Sequence, residues 1–119
     1  DRIAAVGMVG AAFTAPMDWC ANMPPVPAIL FHGTKDEEAK YHGGRSWVAQ
    51  LAFPGIPGVA RAWARRNGCS GAYVDSSVAA DVVRRSWQKC DGAVVVFYTI
   101  VDGGHTRVRF SIDIIIHST

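Results

Sequence analysis

The sequence predicts an α/β fold, in which a largely parallel sheet is flanked by helices. Two unbroken apolar runs, Ala28–His32 and Ala93–Ile100, have the pattern of strands buried on both faces. Between them, Val59–Asn67 has helical character. Half of the 119 residues are hydrophobic and 18% are charged, so the chain can bury a substantial core.

The first part of the chain is predicted to contain two strands joined by a long connection. Ile3–Gly10 has the composition of a short buried strand. Ala11–Pro27 contains four prolines, which cannot donate to a sheet and resist helix interiors, so this segment is predicted to be a loop. Ala28–His32 then forms a strand that ends at Gly33, and a loop rich in glycine and proline continues to Gly58.

The predicted helix has recognisable ends. Pro57 suits the first turn, and Val59 and Trp63 are spaced to lie on one face. Gly68 can adopt the left-handed conformation that ends a helix. The helix is therefore expected to pack one side against the sheet.

The second half is predicted to form an antiparallel hairpin. Val78–Trp87 is its first strand, Gln88–Gly92 turns the chain, and Ala93–Ile100 is the second strand. The tail Phe110–His117 is compatible with either a short helix or a strand. A serine near its start could cap a short helix, whereas three consecutive isoleucines favour a strand.

Two residues that can carry acid–base chemistry follow the two apolar runs. Asp36 ends the segment Phe31–Asp36, and His105 lies in Asp102–Thr106, both of which contain glycine and suit loops. If the two strands lie close in one sheet, the Asp36 carboxylate should approach Nδ1 of His105 at hydrogen-bonding distance. The opposite nitrogen is then expected to face an open cleft. A histidine base needs such a carboxylate, because the contact fixes the tautomer and stabilises the imidazolium.

The order of this acid and this histidine matches the last two members of a Ser–Asp–His triad in α/β-hydrolases. The serine is missing, because no Gly-x-Ser-x-Gly motif occurs in the 119 residues. We therefore expect residues 1–119 to form one partial domain, the C-terminal half of an α/β-hydrolase whose nucleophile lies upstream. The fragment alone is expected to be inactive.

A more specific resemblance is carried by several segments that occur in order. They are Val26–Asp36, Tyr41–Gly44, Trp63–Cys69, Cys90–Ile100 and Gly103–Thr106. Together they resemble secreted esterases of the feruloyl esterase and polyhydroxybutyrate depolymerase-like family. The resemblance implies an α/β-hydrolase fold with Asp36 as triad acid and His105 as triad base. The sequence departs from the family directly after the last segment, where Arg107–Arg109 replaces tryptophan-proline-glycine.

The cysteines indicate the cellular compartment in which the protein works. Cys69 and Cys90 are predicted to form a disulfide, because both lie at the ends of elements and the family that the chain resembles pairs its cysteines here. A disulfide implies an oxidising compartment and hence secretion. Cys20 is left over, and either pairs with an upstream cysteine or is a free buried thiol.

The remaining histidines and the tyrosine of the acid loop have weaker assignments. Tyr41 and His42 are candidates to line the substrate cleft, although packing is the stronger expectation for Tyr41. His32 is expected to be structural because it sits at a strand end. Trp63 is expected to anchor its helix in the core.

Several functional classes are excluded by the composition. The net charge of +2 provides no basic stripe of the kind that binds nucleic acid. No apolar run approaches the length of a membrane span, and no C-x-x-C motif indicates a zinc site. No metal or organic cofactor is expected. The expected partners are an ester substrate and the missing N-terminal half of the same fold.

The expected function is hydrolysis of carboxylic esters, either feruloyl or acetyl esters of plant polysaccharide or polyhydroxyalkanoates. The alternative is a non-catalytic carbohydrate-binding or interaction remnant of the same fold. A Gly-x-Ser-x-Gly motif in the upstream coding sequence would distinguish the enzyme from the remnant.

Overall fold

A computed structural model of the chain describes residues 5–11, 24–46 and 51–105. The elements in chain order are β1 (Val6–Val9), β2 (Ala28–Gly33), β3 (Gly44–Ser46), β4 (Leu51–Phe53), α1 (Ile56–Arg66), β5 (Tyr73–Ala79), β6 (Val82–Trp87) and β7 (Val95–Ile100). The predicted tail Phe110–His117, the start of the first predicted strand and most of the loop after it lie outside the described residues.

The main sheet has five strands in the order β1-β2-β7-β6-β5. β1, β2 and β7 run parallel, whereas β6 and β5 are antiparallel to their neighbours. In the β2–β7 pair, Ala28 lies opposite Val95 and Gly33 lies opposite Ile100. The two strands therefore start and end level, which brings the loops that follow them to the same edge.

The helix α1 covers one face of this sheet. Its buried residues Ile56, Val59, Ala60 and Ala64 belong to one core cluster with Ala28, Leu30, Trp87, Val95 and Phe97 of the strands. On the opposite face, the rings of Phe31 and Tyr98 stack with centroids 4.6 Å apart. Because β2 and β7 contribute to clusters on both faces, their unbroken apolar sequences are explained.

The ends of α1 follow local chemistry. The helix begins at Ile56, earlier than the predicted Val59, because Pro57 is already in its first turn. It ends at Arg66, and Gly68 adopts a φ of +72°, as predicted for a left-handed terminating residue.

Buried Asn67 connects α1 to two other segments. Its side-chain amide donates to the carbonyls of Val26 at 2.7 Å and Ala93 at 3.1 Å, and its oxygen accepts from the Val26 amide at 3.2 Å. Val26 and Ala93 lie two residues before the starts of β2 and β7. Asn67 therefore supplies hydrogen bonds to the starts of the two central parallel strands.

The predicted disulfide between Cys69 and Cys90 is present. It joins the segment after α1 to the turn between β6 and β7. Cys20 lies outside the described residues.

Three sequence-based expectations need correction. The first strand, expected to be buried, lies at an edge of the sheet, and its Val9 is 59% exposed. The predicted strand Val78–Trp87 is divided by a turn at residues 80–81, so its first part belongs to β5. β5 is exposed along nearly its whole length and lacks the apolar pattern that would have predicted it. The β3–β4 hairpin lies in a region predicted to be loop.

Within the described residues, no helix is long and apolar enough to cross a membrane.

Candidate active site

The loops after β2 and β7 are joined by backbone hydrogen bonds. The Thr34 amide donates to the Ile100 carbonyl at 3.0 Å, and the Lys35 amide donates to the Gly103 carbonyl at 2.9 Å. The Asp102 amide donates to Oγ1 of Thr34 at 2.7 Å. These bonds fix the relative positions of the two loops independently of the Asp36 and His105 side chains.

Gly33 and Gly103 make this close approach possible. A Cβ atom at Gly33 would overlap the backbone of Gly103. One at Gly103 would lie 2.7 Å from the Ile100 side chain. A side chain at Gly33 would therefore push the loops apart, whereas one at Gly103 would collide with the end of β7.

Asp36 and His105 meet at this edge of the sheet. Nδ1 of His105 lies 2.8 Å from Oδ2 of Asp36. The other carboxylate oxygen, Oδ1, accepts the backbone amides of Glu38 at 3.0 Å and Ala39 at 2.8 Å. Asp36 is only 4% exposed, so its carboxylate is held rigidly by its own loop and presents one oxygen to the imidazole.

The pairing changes the acidity of His105. The hydrogen bond to Asp36 raises the pKa of the His105 imidazole above its ordinary value, and the charges of Asp36 and Glu38 act in the same direction. Desolvation opposes this rise in pKa. The geometry thus favours the imidazolium, the form that a histidine base reaches after it accepts a proton.

The other ring nitrogen of His105 faces a carboxylate. Nε2 lies 3.3 Å from Oε2 of Glu38, whose side chain is 74% exposed. The nitrogen that was expected to face an open cleft thus has an exposed carboxylate beside it, on a ring that is itself 42% exposed. Sequence reasoning missed Glu38, and its position two residues after Asp36 was the available signal.

His32 contacts Asp36 and the acid loop on their buried side. Its buried ring donates from Nε2 to the carbonyl of Ala39, and the same nitrogen lies 3.4 Å from Oδ2 of Asp36. The ring therefore braces the acid loop, which fits the structural role expected for it.

Gly10, at the end of β1, approaches the same pair and was missed by the sequence analysis. It has a φ of +61°, and a Cβ there would lie 3.4 Å from Nδ1 of His105 and 3.7 Å from Oδ2 of Asp36. Its amide donates to the carbonyl of Phe31 at 2.9 Å. Three parallel strands thus end around the Asp36–His105 contact, and a glycine directly after an apolar strand was the signal for the first of them.

Tyr41 and His42 line a shallow depression beside the acid loop. Its volume is about 330 Å³, and it is lined by Thr34, Lys35, Asp36, Glu37, Lys40, Tyr41, His42 and Gly43. The Tyr41 hydroxyl lies 2.8 Å from Oγ1 of Thr99, and its ring stacks on Phe97 at 5.9 Å. Tyr41 therefore packs against the sheet and also lines the depression. The ring of exposed His42 lies edge-on to the Tyr41 ring, with the ring centroids 5.0 Å apart.

Among the described residues, the polar partners of the His105 ring are Asp36 and Glu38. No group of three or more His, Cys, Asp or Glu side chains in this part of the chain could hold a metal ion. The arrangement can orient an imidazole and stabilise its protonated form, which is what the acid does for a histidine base in nucleophilic catalysis.

Comparison with known proteins gives one partial similarity of note. Over 92 residues the chain is 33% identical to feruloyl esterase B of Piromyces equi, and the match covers 74% of this chain. It covers 17% of that relative, so the chain spans only a small part of it. No family model matches the sequence, and no solved structure matches it. The similarity relates this chain to an esterase over part of its length.

Proposed function

We propose that this chain provides the acid and the base of a serine ester hydrolase with an α/β-hydrolase fold, of which residues 1–119 form the C-terminal part. The 2.8 Å contact between Asp36 and His105 carries the proposal. It lies where adjacent parallel strands end, the usual place for ligands in open α/β sheets. The partial similarity to a feruloyl esterase supports the same reaction class.

In the proposed reaction, an upstream serine hydroxyl attacks the ester carbonyl carbon. Nε2 of His105 accepts the hydroxyl proton and passes it to the oxygen of the leaving alcohol, which leaves an acyl-serine. A water molecule, deprotonated by the same nitrogen, then attacks the acyl carbon. The bond to the serine oxygen breaks, and the imidazolium returns the proton to that oxygen, which releases the carboxylic acid and regenerates the serine hydroxyl. Throughout, Asp36 holds the Nδ1–H and stabilises the imidazolium.

The proposed substrates are feruloyl or acetyl esters of plant polysaccharide, or hydroxyalkanoate polyesters. The depression lined by Tyr41 and His42 adjoins the acid loop and offers a place for part of such a substrate. We also propose that the protein is secreted, because the Cys69–Cys90 disulfide persists in oxidising compartments.

The test is ester hydrolysis by the complete protein that contains this chain. On a chromogenic acyl ester, His105→Ala should lower kcat by roughly 10⁶-fold because the serine loses its base, and Asp36→Asn by roughly 10⁴-fold because the base loses its orientation. His42→Ala serves as a control, since a residue that only lines the cleft should change KM more than kcat.

Full activity in either triad variant would contradict the proposal. Carbohydrate binding without any hydrolysis by the wild-type complete protein would favour the non-catalytic alternative instead.

A further inference from the structure

The His105 ring is contacted by carboxylates on two sides. Asp36 lies 2.8 Å from Nδ1, and Glu38 lies 3.3 Å from Nε2. Both acids belong to the loop that follows β2. The Asp36 contact fits a triad, but the Glu38 contact lies where the proposed reaction needs the serine hydroxyl.

Glu38 is anchored through its backbone and leaves its side chain free to move. Its amide donates to Oδ1 of Asp36 at 3.0 Å, and the next amide, that of buried Ala39, donates to the same oxygen at 2.8 Å. The Glu38 side chain itself is 74% exposed. Its carboxylate can therefore reach Nε2 or turn into solvent without disturbing the acid loop.

We propose that Glu38 is a positioning residue for His105, which holds the imidazole at Nε2 until the serine hydroxyl takes that place. This inference rests on the proposed function. With both nitrogens directed at carboxylates, the orientation of the ring is fixed although the nucleophile lies outside these 119 residues. Displacing Glu38 costs little, because an exposed ion pair contributes little free energy.

After Asp36, Glu38 is the second carboxylate that acts on the His105 ring. Of the remaining charged side chains in the two loops, Lys35 and Asp102 pair with each other at 3.4 Å and are each 70% exposed. Among the described residues, neither Glu37 nor Lys40 contacts the His105 ring. His32 contacts Asp36 on the buried side, and Gly10 brings no charge. Because a carboxylate at Nε2 favours the protonated ring, Glu38 should raise the pH at which His105 becomes a neutral base.

The test is an NMR titration of the His105 ring in ¹⁵N-histidine-labelled chain. Glu38→Gln should lower the pKa of His105 by roughly 0.2 to 0.7, the range expected for an exposed ion pair. The matched control is Glu37→Gln, which removes an exposed neighbouring carboxylate that has no contact with the ring among the described residues and should leave that pKa unchanged. High salt should shrink the difference between wild type and Glu38→Gln, because an exposed pair is screened.

A second measurement covers the case in which a variant of the isolated chain does not fold. In the complete protein, the acidic limb of the pH profile of kcat/KM should move to lower pH in Glu38→Gln and stay in place in Glu37→Gln. The proposal would be overturned if Glu38→Gln and Glu37→Gln had the same His105 pKa, or the same acidic limb in their kcat/KM profiles. The titration needs no ester, so it is decided separately from the hydrolysis test of the proposed function.

Discussion

At the residue scale, His105 links the stability of the fold to pH. Its pKa is raised in the folded chain, chiefly by the hydrogen bond to Asp36. A raised folded pKa means that the ion pair contributes stability fully below the unfolded pKa. That contribution is lost as the pH rises through the folded pKa.

His105→Gln should therefore lower the free energy of unfolding more at about pH 5 than at about pH 9. Denaturant unfolding at the two pH values measures this difference. The control is His42→Gln, because among the described residues His42 contacts an aromatic ring and no carboxylate. A loss in His105→Gln that is equal at both pH values would show that the Asp36 pair does not form in solution.

The glycines at the loop contact give a second residue-level prediction. Gly33→Ala should destabilise the fold by about 1–3 kcal/mol, because the new Cβ would overlap the Gly103 backbone and force the loops apart. Gly104→Ala is the matched control, since nothing lies within 4 Å of a Cβ at that position. Thermal melts compare the stability of the two variants. Equal melting temperatures would contradict the close approach of the loops.

At the scale of elements, the sequence predicted best where one local signal dominates. β2 and β7 were predictable because strands buried on both faces need unbroken apolar sequence. The helix was predictable from Pro57 and Gly68, which act through backbone conformation alone. β5 was not predictable, because an exposed strand is defined by its pairing with β6.

The same distinction applies to the candidate site. Asp36 and His105 could be proposed because each follows an apolar strand in a glycine-containing loop. Gly10 and Glu38 had only weak local signals, a glycine after an apolar strand and a glutamate two residues after Asp36, and their contacts with the pair depend on the three-dimensional arrangement of the loops. Asn67 likewise acquires its role from the strands that begin beside it.

The disulfide gives a prediction about the attachment of α1. Cys69→Ser with Cys90→Ser should lower the free energy of unfolding by about 3 kcal/mol, because the unfolded chain regains the freedom of the closed loop. Denaturant unfolding of oxidised wild type and the double variant measures this loss. Non-reducing peptide mapping should find the Cys69–Cys90 peptide, and a bridge from Cys20 to either residue would contradict the pairing.

At the scale of the whole molecule, the two ends of the sheet differ in relation to the site. β1 forms one edge, and the loop after it reaches the Asp36–His105 contact through Gly10. β5 forms the far edge, with β6 between it and β7. Under the proposed α/β-hydrolase fold, the nucleophile-bearing half adds its strands beside β1, which is the edge next to the candidate site.

The most direct test of the central claim is covalent labelling of the complete protein with a fluorophosphonate, which reacts with serines activated by a histidine base. We expect one labelled serine in a Gly-x-Ser-x-Gly sequence upstream of residue 1, with labelling lost in His105→Ala and strongly slowed in Asp36→Asn. Labelling that proceeds at the wild-type rate in His105→Ala, or that falls on a serine within these 119 residues, would contradict the assignment of Asp36 and His105 as the acid and base of a serine hydrolase.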